Sequence, residues 1–290
     1  MKKEILYSAA NDIEGTLTRV SEAVKGTDYY CPECKNKLIL KRSGKTGKGS
    51  RRPHFSHSVV SPNCTPESVL HYSFKKYLLA YLGSLLAERR ALTVNWRCKS
   101  CGADQTGNLL ERVARVKEEY DLSVCRPDIA LLDSNGCLVA AIEIVVTHAP
   151  EPSTLYYYRE GNIVLVQIDL ESDEDLDHIQ EKITRPSILD YCSRPSCSNY
   201  GISTTNRTVL VNRRLCGRCF SPVELYSVGI QTPFGQQTTR EFSTTEIDLV
   251  KSQRQNIEIR ENPTAGERFP VFVCINCKRL ASIYRPRRRF

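Results

Sequence analysis

Apolar and polar positions along this chain follow two periods, one helical and one alternating. The apolar residues Leu70, Phe74, Tyr77, Leu78, Tyr81 and Leu85 recur at helical spacing. Thr65 and Pro66 stand before them as N-cap and first-turn residue, so a helix is predicted from Thr65 to about Arg89. Farther on, two apolar runs, residues 129–132 and 138–146, flank the turn Asp133-Ser134-Asn135-Gly136 and read as a β-hairpin. Residues 109–122 read as a strand carrying Glu119 or as a short helix, the strand being favoured, residues 162–170 as a buried strand, and residues 173–184 as a polar helix ending at Pro186. Tyr156 to Arg159 fall in a short helix or turn. Helix, three strands, short helix, strand and helix predict an α/β fold with a mixed sheet and helices on both faces.

One acid sits on each strand of the predicted hairpin. Asp128 opens the first, and Glu143 lies inside the second, where period-2 geometry turns both carboxylates towards one end of the sheet. Two convergent carboxylates make a hard-oxygen site for Mg²⁺ or Mn²⁺. On the helix, Glu67, His71 and Lys75 recur every four residues and share one face, which serves equally as a solvated ladder or as one wall of a site.

The chain holds 13 cysteines, eight of them in four CxxC pairs. Each such pair is a knuckle, a tight turn that offers two thiolates to one metal. Cys31 and Cys34 are expected to close a zinc site with His57 and Cys64, His54 being the reserve ligand. Cys192 and Cys197 with Cys216 and Cys219 have the spacing of a zinc ribbon. The pairs left over, Cys98/Cys101 and Cys274/Cys277, are then matched with each other, although exchange of partners stays open. About three structural zinc ions follow from this ligand count. Cys125 and Cys137 remain and are expected as buried residues within strands.

The chain carries 41 Lys and Arg against 33 Asp and Glu, a formal charge of +8, and ends in RPRRRF. A polyanionic partner is expected, nucleic acid and DNA first, through phosphate neutralisation. No run of eighteen apolar residues and no signal-peptide pattern occurs, so the expected location is soluble and cytoplasmic, without a membrane. The expected organisation is an N-terminal zinc module over residues 1–64, a core over 65–186 interrupted by the 98–101 knuckle, and a C-terminal zinc-ribbon module with a basic tail over 187–290.

The sequence Pro127-Asp128, a turn, then Glu143 on the next strand resembles the PD-(D/E)XK nuclease core, which has the restriction-endonuclease-like fold. The resemblance implies that the two acids hold a divalent metal; Val145 stands where that family has a lysine. The CPEC knuckle, His54-Phe55-Ser56-His57, Cys64, then Glu67-Ser68, His71 and Lys75 resemble the CoiA-like competence-protein family over residues 31 to about 170. That likeness implies Glu67 as a site carboxylate with His71 and Lys75 beside it, and places His148, after Thr147, at the border of the metal site. Lys75 or His148 then stands in for the missing lysine. The function so implied is phosphodiester hydrolysis on DNA, in processing of or defence against foreign DNA. The alternative is a nucleic-acid-binding scaffold that kept the fold without the chemistry.

Overall fold

A computed structural model describes residues 5–42, 52–59, 64–192, 197, 207–239, 242–253, 257–261 and 268–280. Most of the basic loop 44–52 and the terminal RPRRRF lie outside the described residues. The chain divides into two compact units, Met1–Cys192 and Ser193–Phe290.

The first unit opens with a small antiparallel sheet of β1 (Ala9–Asn11), β2 (Leu17–Arg19), β3 (Tyr29–Tyr30), β4 (Lys37–Lys41) and β5 (His54–His57), in the order β2-β1-β3-β4-β5. Its interior is thin. Ala10, Tyr29, Leu38 and Phe55 pack with Cys31, Cys64 and Val69, a set too small to hold a sheet of such short strands unaided.

Helix α1 (Pro66–Ala87) follows directly. Thr65 caps it, its hydroxyl accepting the Ser68 N–H at 3.2 Å while Ser68 Oγ accepts the Thr65 N–H, and Pro66 occupies the first turn as the sequence predicts. Phe74, Leu78 and Leu82 are fully buried, and the helix packs on the central sheet. It ends at Glu88 and Arg89, the latter at φ 54°.

The central sheet runs β12-β11-β10-β9-β8. It is built from β8 (Arg115–Glu118), β9 (Ile129–Leu132), β10 (Leu138–Val145), β11 (Val164–Asp169) and β12 (Ile188–Asp190). Only β10 and β11 pair in parallel, joined through helix α2 (Pro152–Glu160); the other neighbours are antiparallel. The hairpin turn is set by Asp133, whose Oδ1 accepts the N–H groups of Asn135 and Cys137, both at 2.9 Å, and by Gly136 at φ 84°, a conformation a Cβ disfavours. Ile129, Leu131 and Ile142 are completely buried, each contributing roughly 1.5–3 kcal/mol of burial free energy. Residues expected as one helix, 173–184, form a 3-10 turn (Asp173–His178) running into helix α3 (Ile179–Thr184). The core does not stop at Pro186: β12 adds an edge strand against β11 and carries the first unit to Cys192. A separate hairpin, β6 (Thr93–Arg97) with β7 (Asp104–Asn108), carries the 98–101 knuckle at its tip.

Cys125 and Cys137 lie outside the strands, contrary to expectation. Cys137 is exposed in the hairpin turn, and Cys125 is half-buried before Asp128.

The second unit has a three-stranded antiparallel sheet, β13 (Arg207–Leu215), β14 (Pro222–Thr232) and β15 (Gly235–Thr239), then α4 (Thr244–Gln253) and the pair β16 (Ile257–Glu261) and β17 (Arg268–Phe272). Tyr226, Val250 and Phe272 form its core, with the Tyr226 and Phe272 rings stacked 5.3 Å apart. A buried ion pair joins β13 to α4, Arg207 donating to both carboxylate oxygens of Glu246 at 2.7 Å.

Candidate functional site

Three clusters of metal-ligating side chains form: Cys31, Cys34, His57 and Cys64; Cys98, Cys101, Cys192 and Cys197; and Cys216, Cys219, Cys274 and Cys277. Within each, the ligand atoms lie within 4.8 Å of one another. The Cys31–Cys64 sulfurs are 3.3 Å apart, Cys101–Cys192 3.7 Å, Cys216–Cys277 3.6 Å and Cys219–Cys274 3.5 Å. Tetrahedral zinc with Zn–S near 2.3 Å requires sulfurs about 3.8 Å apart, so all three sets fit that metal.

The first set is the one expected, with His57 as ligand; His54 instead turns its Nδ1 to the Arg52 carbonyl at 2.9 Å. The other two exchange partners relative to the expectation from spacing. Cys192/Cys197 belongs with Cys98/Cys101, and Cys216/Cys219 belongs with Cys274/Cys277. The physical reason is β12, which delivers Cys192 beside the β6–β7 hairpin, where Trp96 Nε1 donates to the Tyr191 carbonyl at 2.7 Å. Spacing along the chain carries no record of that long-range placement.

All four knuckles share one backbone turn. The first cysteine's C=O accepts the N–H four residues on, and its own N–H donates to the C=O five residues on: Cys31 with Lys35 and Asn36, Cys98 with Gly102 and Ala103, Cys216 with Phe220 and Ser221, Cys274 with Lys278 and Arg279. The residue after the second cysteine is left-handed each time, at φ 61° for Lys35, 68° for Gly102, 57° for Phe220 and 55° for Lys278. In the first three knuckles the backbone N–H groups two and three residues on hydrogen-bond the leading sulfur; burial still pushes the Cys31 and Cys98 thiols up, whereas at Cys216 these bonds lower the pKa and favour the thiolate.

The N-terminal cluster also anchors α1. Cys64 precedes the cap residue Thr65, and Glu33, inside the knuckle, accepts hydrogen bonds from Ser68 Oγ and, at 3.6 Å, from Cys64 Sγ. Helix start and metal ligands are thus one structure.

From there α1 forms one wall of an open cleft of about 660 Å³. Glu67, His71 and Lys75 line it from the helix, and Asp128, Glu119, Ile144 and His148 from the sheet side. Asp128 is the meeting point. Its Oδ2 accepts the Ile144 N–H at 2.9 Å and faces His71 Nε2 at 3.0 Å, and its Oδ1 is 3.9 Å from Lys75 Nζ. Lys75 is almost fully buried and also donates to Glu119, whose pKa that bond holds below the usual carboxylate value. Glu119 follows the end of β8 at φ 44°, an uncommon conformation for a non-glycine residue and one that accompanies its return towards Lys75. His148 is exposed, with Nδ1 2.8 Å from Thr147 Oγ1. Among the described residues Glu67 makes no side-chain hydrogen bond or ion pair.

Glu143 does not line the cleft, which corrects the expectation that both hairpin acids share its rim. It alternates with Ile144 and shares the parity of Ala141, against which Tyr158 of α2 packs. The Tyr158 hydroxyl donates to Glu143 Oε1 at 2.6 Å. The acids nevertheless communicate. The ladder that pairs Ile129 with Ile142 sets Asp128 opposite Glu143 one step on, and the Asp128 N–H bonds the Glu143 carboxylate. Burial first, then the charge of Asp128, push the Glu143 pKa up to about 7 against the Tyr158 bond. Tyr158 carries no sequence signal that separates it from Tyr156, yet Tyr156 is exposed and Tyr158 is not.

The cysteine/histidine clusters are the compact ligand groups of three or more among the described residues; Glu67, Asp128 and Glu143 do not form another. No described helix is long and apolar enough to cross a membrane. The family model described as Competence protein CoiA, N-terminal domain, matches residues 15–65. This segment, which holds the first metal cluster, is thus similar to the CoiA N-terminal domain, the family whose knuckle pattern the sequence resembles. No curated protein and no solved structure matches the chain.

Proposed function

We propose that the chain is a metal-dependent nuclease of the PD-(D/E)XK type that hydrolyses DNA phosphodiesters, in processing of or defence against foreign DNA. The observation that carries this reading is Asp128, held between His71 and Lys75 on one side and the Ile144 amide on the other, at the floor of a cleft wide enough for a backbone phosphate. Mg²⁺ commonly uses one or two carboxylates and leaves its other positions to water and phosphate oxygens, and the donors here suit that pattern. Asp128 would hold Mg²⁺ or Mn²⁺, with Glu143 behind it and Glu67 across the cleft. Such an ion supplies Lewis acidity when bound. Lys75 reaches Asp128 from the helix and supplies the cation that Val145 does not; His71 and His148 can orient water or carry its proton. Zinc in the three cysteine clusters is structural in this reading, since each set already offers four ligands.

The test is incubation of purified protein with single- and double-stranded DNA and RNA in Mg²⁺ or Mn²⁺, beside Asp128→Ala and Glu143→Ala. Metal-dependent cutting lost in both variants supports the nuclease. Binding without cutting supports an inactive scaffold, a second reading favoured by Val145 at the place of the motif lysine.

A further inference from the structure

The formal charge of the chain is confined to its second unit. Residues 193–290 hold 16 Lys and Arg against seven Asp and Glu, a net +9, whereas residues 1–192 hold 25 against 26. Of the nine described cations of the second unit, five stand within a few residues of the ligands Cys216, Cys219, Cys274 and Cys277. Arg213, Arg214, Arg218, Lys278 and Arg279 are all exposed there, and of the nearby acids Glu224 pairs with Arg213 at 3.2 Å.

Besides Leu215, 65% exposed at the end of β13, two apolar side chains are exposed in this basic surface, Phe220 at 72% and Ile275 at 57%. They sit on the two knuckles, flanking the hydrogen bond from Asn276 Nδ2 to Ser221 Oγ at 3.0 Å. Phe220 occupies the left-handed position of its turn, where another knuckle has Gly102 and the remaining two have lysine. Neither burial nor backbone preference accounts for an aromatic ring there. A groove of about 360 Å³, floored by Tyr226 and Phe272 and edged by Arg213, reaches the second knuckle at Ile275.

We propose that this knuckle surface binds single-stranded nucleic acid, Phe220 stacking on an unpaired base while the surrounding Arg and Lys neutralise the phosphates on either side. Exposed aromatic rings between cations serve single strands, because every unpaired base offers a π-face that a duplex hides. A purely ionic surface needs no ring. The inference deepens the nuclease reading by naming the form of its substrate, but binding does not require that the core cut.

The experiment is fluorescence anisotropy with labelled 20-mers of dT and of U and a hairpin duplex of equal length, using the full zinc-loaded chain without Mg²⁺ or Mn²⁺. Phe220→Gly suits the left-handed turn and leaves the fold intact, as zinc content checks. It is expected to weaken single-strand binding about fivefold or more, with Phe220→Trp retaining it. Arg213→Ala with Arg218→Ala should reduce the slope of log K against log salt by about 0.7 for each phosphate charge left unneutralised. Comparison of the dT and U arms separates DNA from RNA. The proposal is overturned if Phe220→Gly binds like the parent, or if duplex and heparin bind as tightly as the single strands. Asp128→Ala should bind normally here even where it abolishes cutting, so failure of the surface and failure of the nuclease are separable.

Discussion

Tyr158 donates its phenolic hydrogen to Glu143 across 2.6 Å, from a ring that is almost wholly buried against Ala141 and Leu165. Removing only that oxygen, in Tyr158→Phe, leaves a half-buried carboxylate with one donor fewer. A hydrogen bond to a charged group is worth about 1.5–3 kcal/mol, so chemical denaturation at alkaline pH, where Glu143 is ionised, should show a loss of that order. Mn²⁺ titration should show the acid site requiring higher pH, because the lost bond was lowering the Glu143 pKa. An unchanged pH dependence would detach Tyr158 from the site.

The sign of the Glu143 effect in metal-free protein is fixed by linkage. Its folded pKa of about 7 lies above the ordinary 4.5, so between these values the folded chain holds a proton that the unfolded chain has released. Stability from this group is present below about pH 4.5 and is lost as pH rises through 7. Glu143→Gln should flatten that slope in denaturation curves recorded from pH 4.5 to 8, and added Mg²⁺ or Mn²⁺ should offset it in the parent chain.

Lys75 is expected to carry the role that Val145 cannot. Lys75→Met removes the charge beside Asp128 and leaves Glu119 without its partner. Cleavage should fall by about 10²-fold or more, the range of a lost acid–base or charge-stabilising group, while zinc content stays the same. Cleavage near the parent rate would move the role elsewhere, and His148→Ala would then be the next variant to measure.

Metal analysis tests the ligand grouping. Cys98→Ser and Cys192→Ser should each lose the same ion, and Cys216→Ser the same ion as Cys274→Ser, leaving two of about three zinc per chain. If Cys192→Ser instead disturbed the Cys216 set, the grouping drawn above would be wrong.

Much of the first unit was legible because its elements announce themselves locally. The run from Leu70 to Leu85 repeats at helical spacing, Thr65-Pro66 writes the cap, and Asp133 to Gly136 write a turn. The knuckles were legible for the same reason, as each is a closed turn of a few residues. Their grouping was not, because four identical turns say nothing about which edge strand brings Cys192 to Cys101. Nor does period-2 alternation show which face Glu143 takes: Asp128 stands just past the ladder and bends to the Ile144 amide, while its partner stays with α2. Glu119 shows the same gap, since its left-handed turn to Lys75 leaves no mark in sequence.

Cys64 and Thr65 are neighbours in the chain, one a ligand and the other a helix cap. A cell short of zinc, or an oxidant that takes that thiol, would thereby loosen the first turn of α1, where Glu67 stands, while the buried Phe74 and Leu78 keep the rest of the helix on its sheet. The metal knot and the wall of the cleft thus share one stretch of backbone, so an event at the thiolate is felt first at the entrance that Glu67 lines.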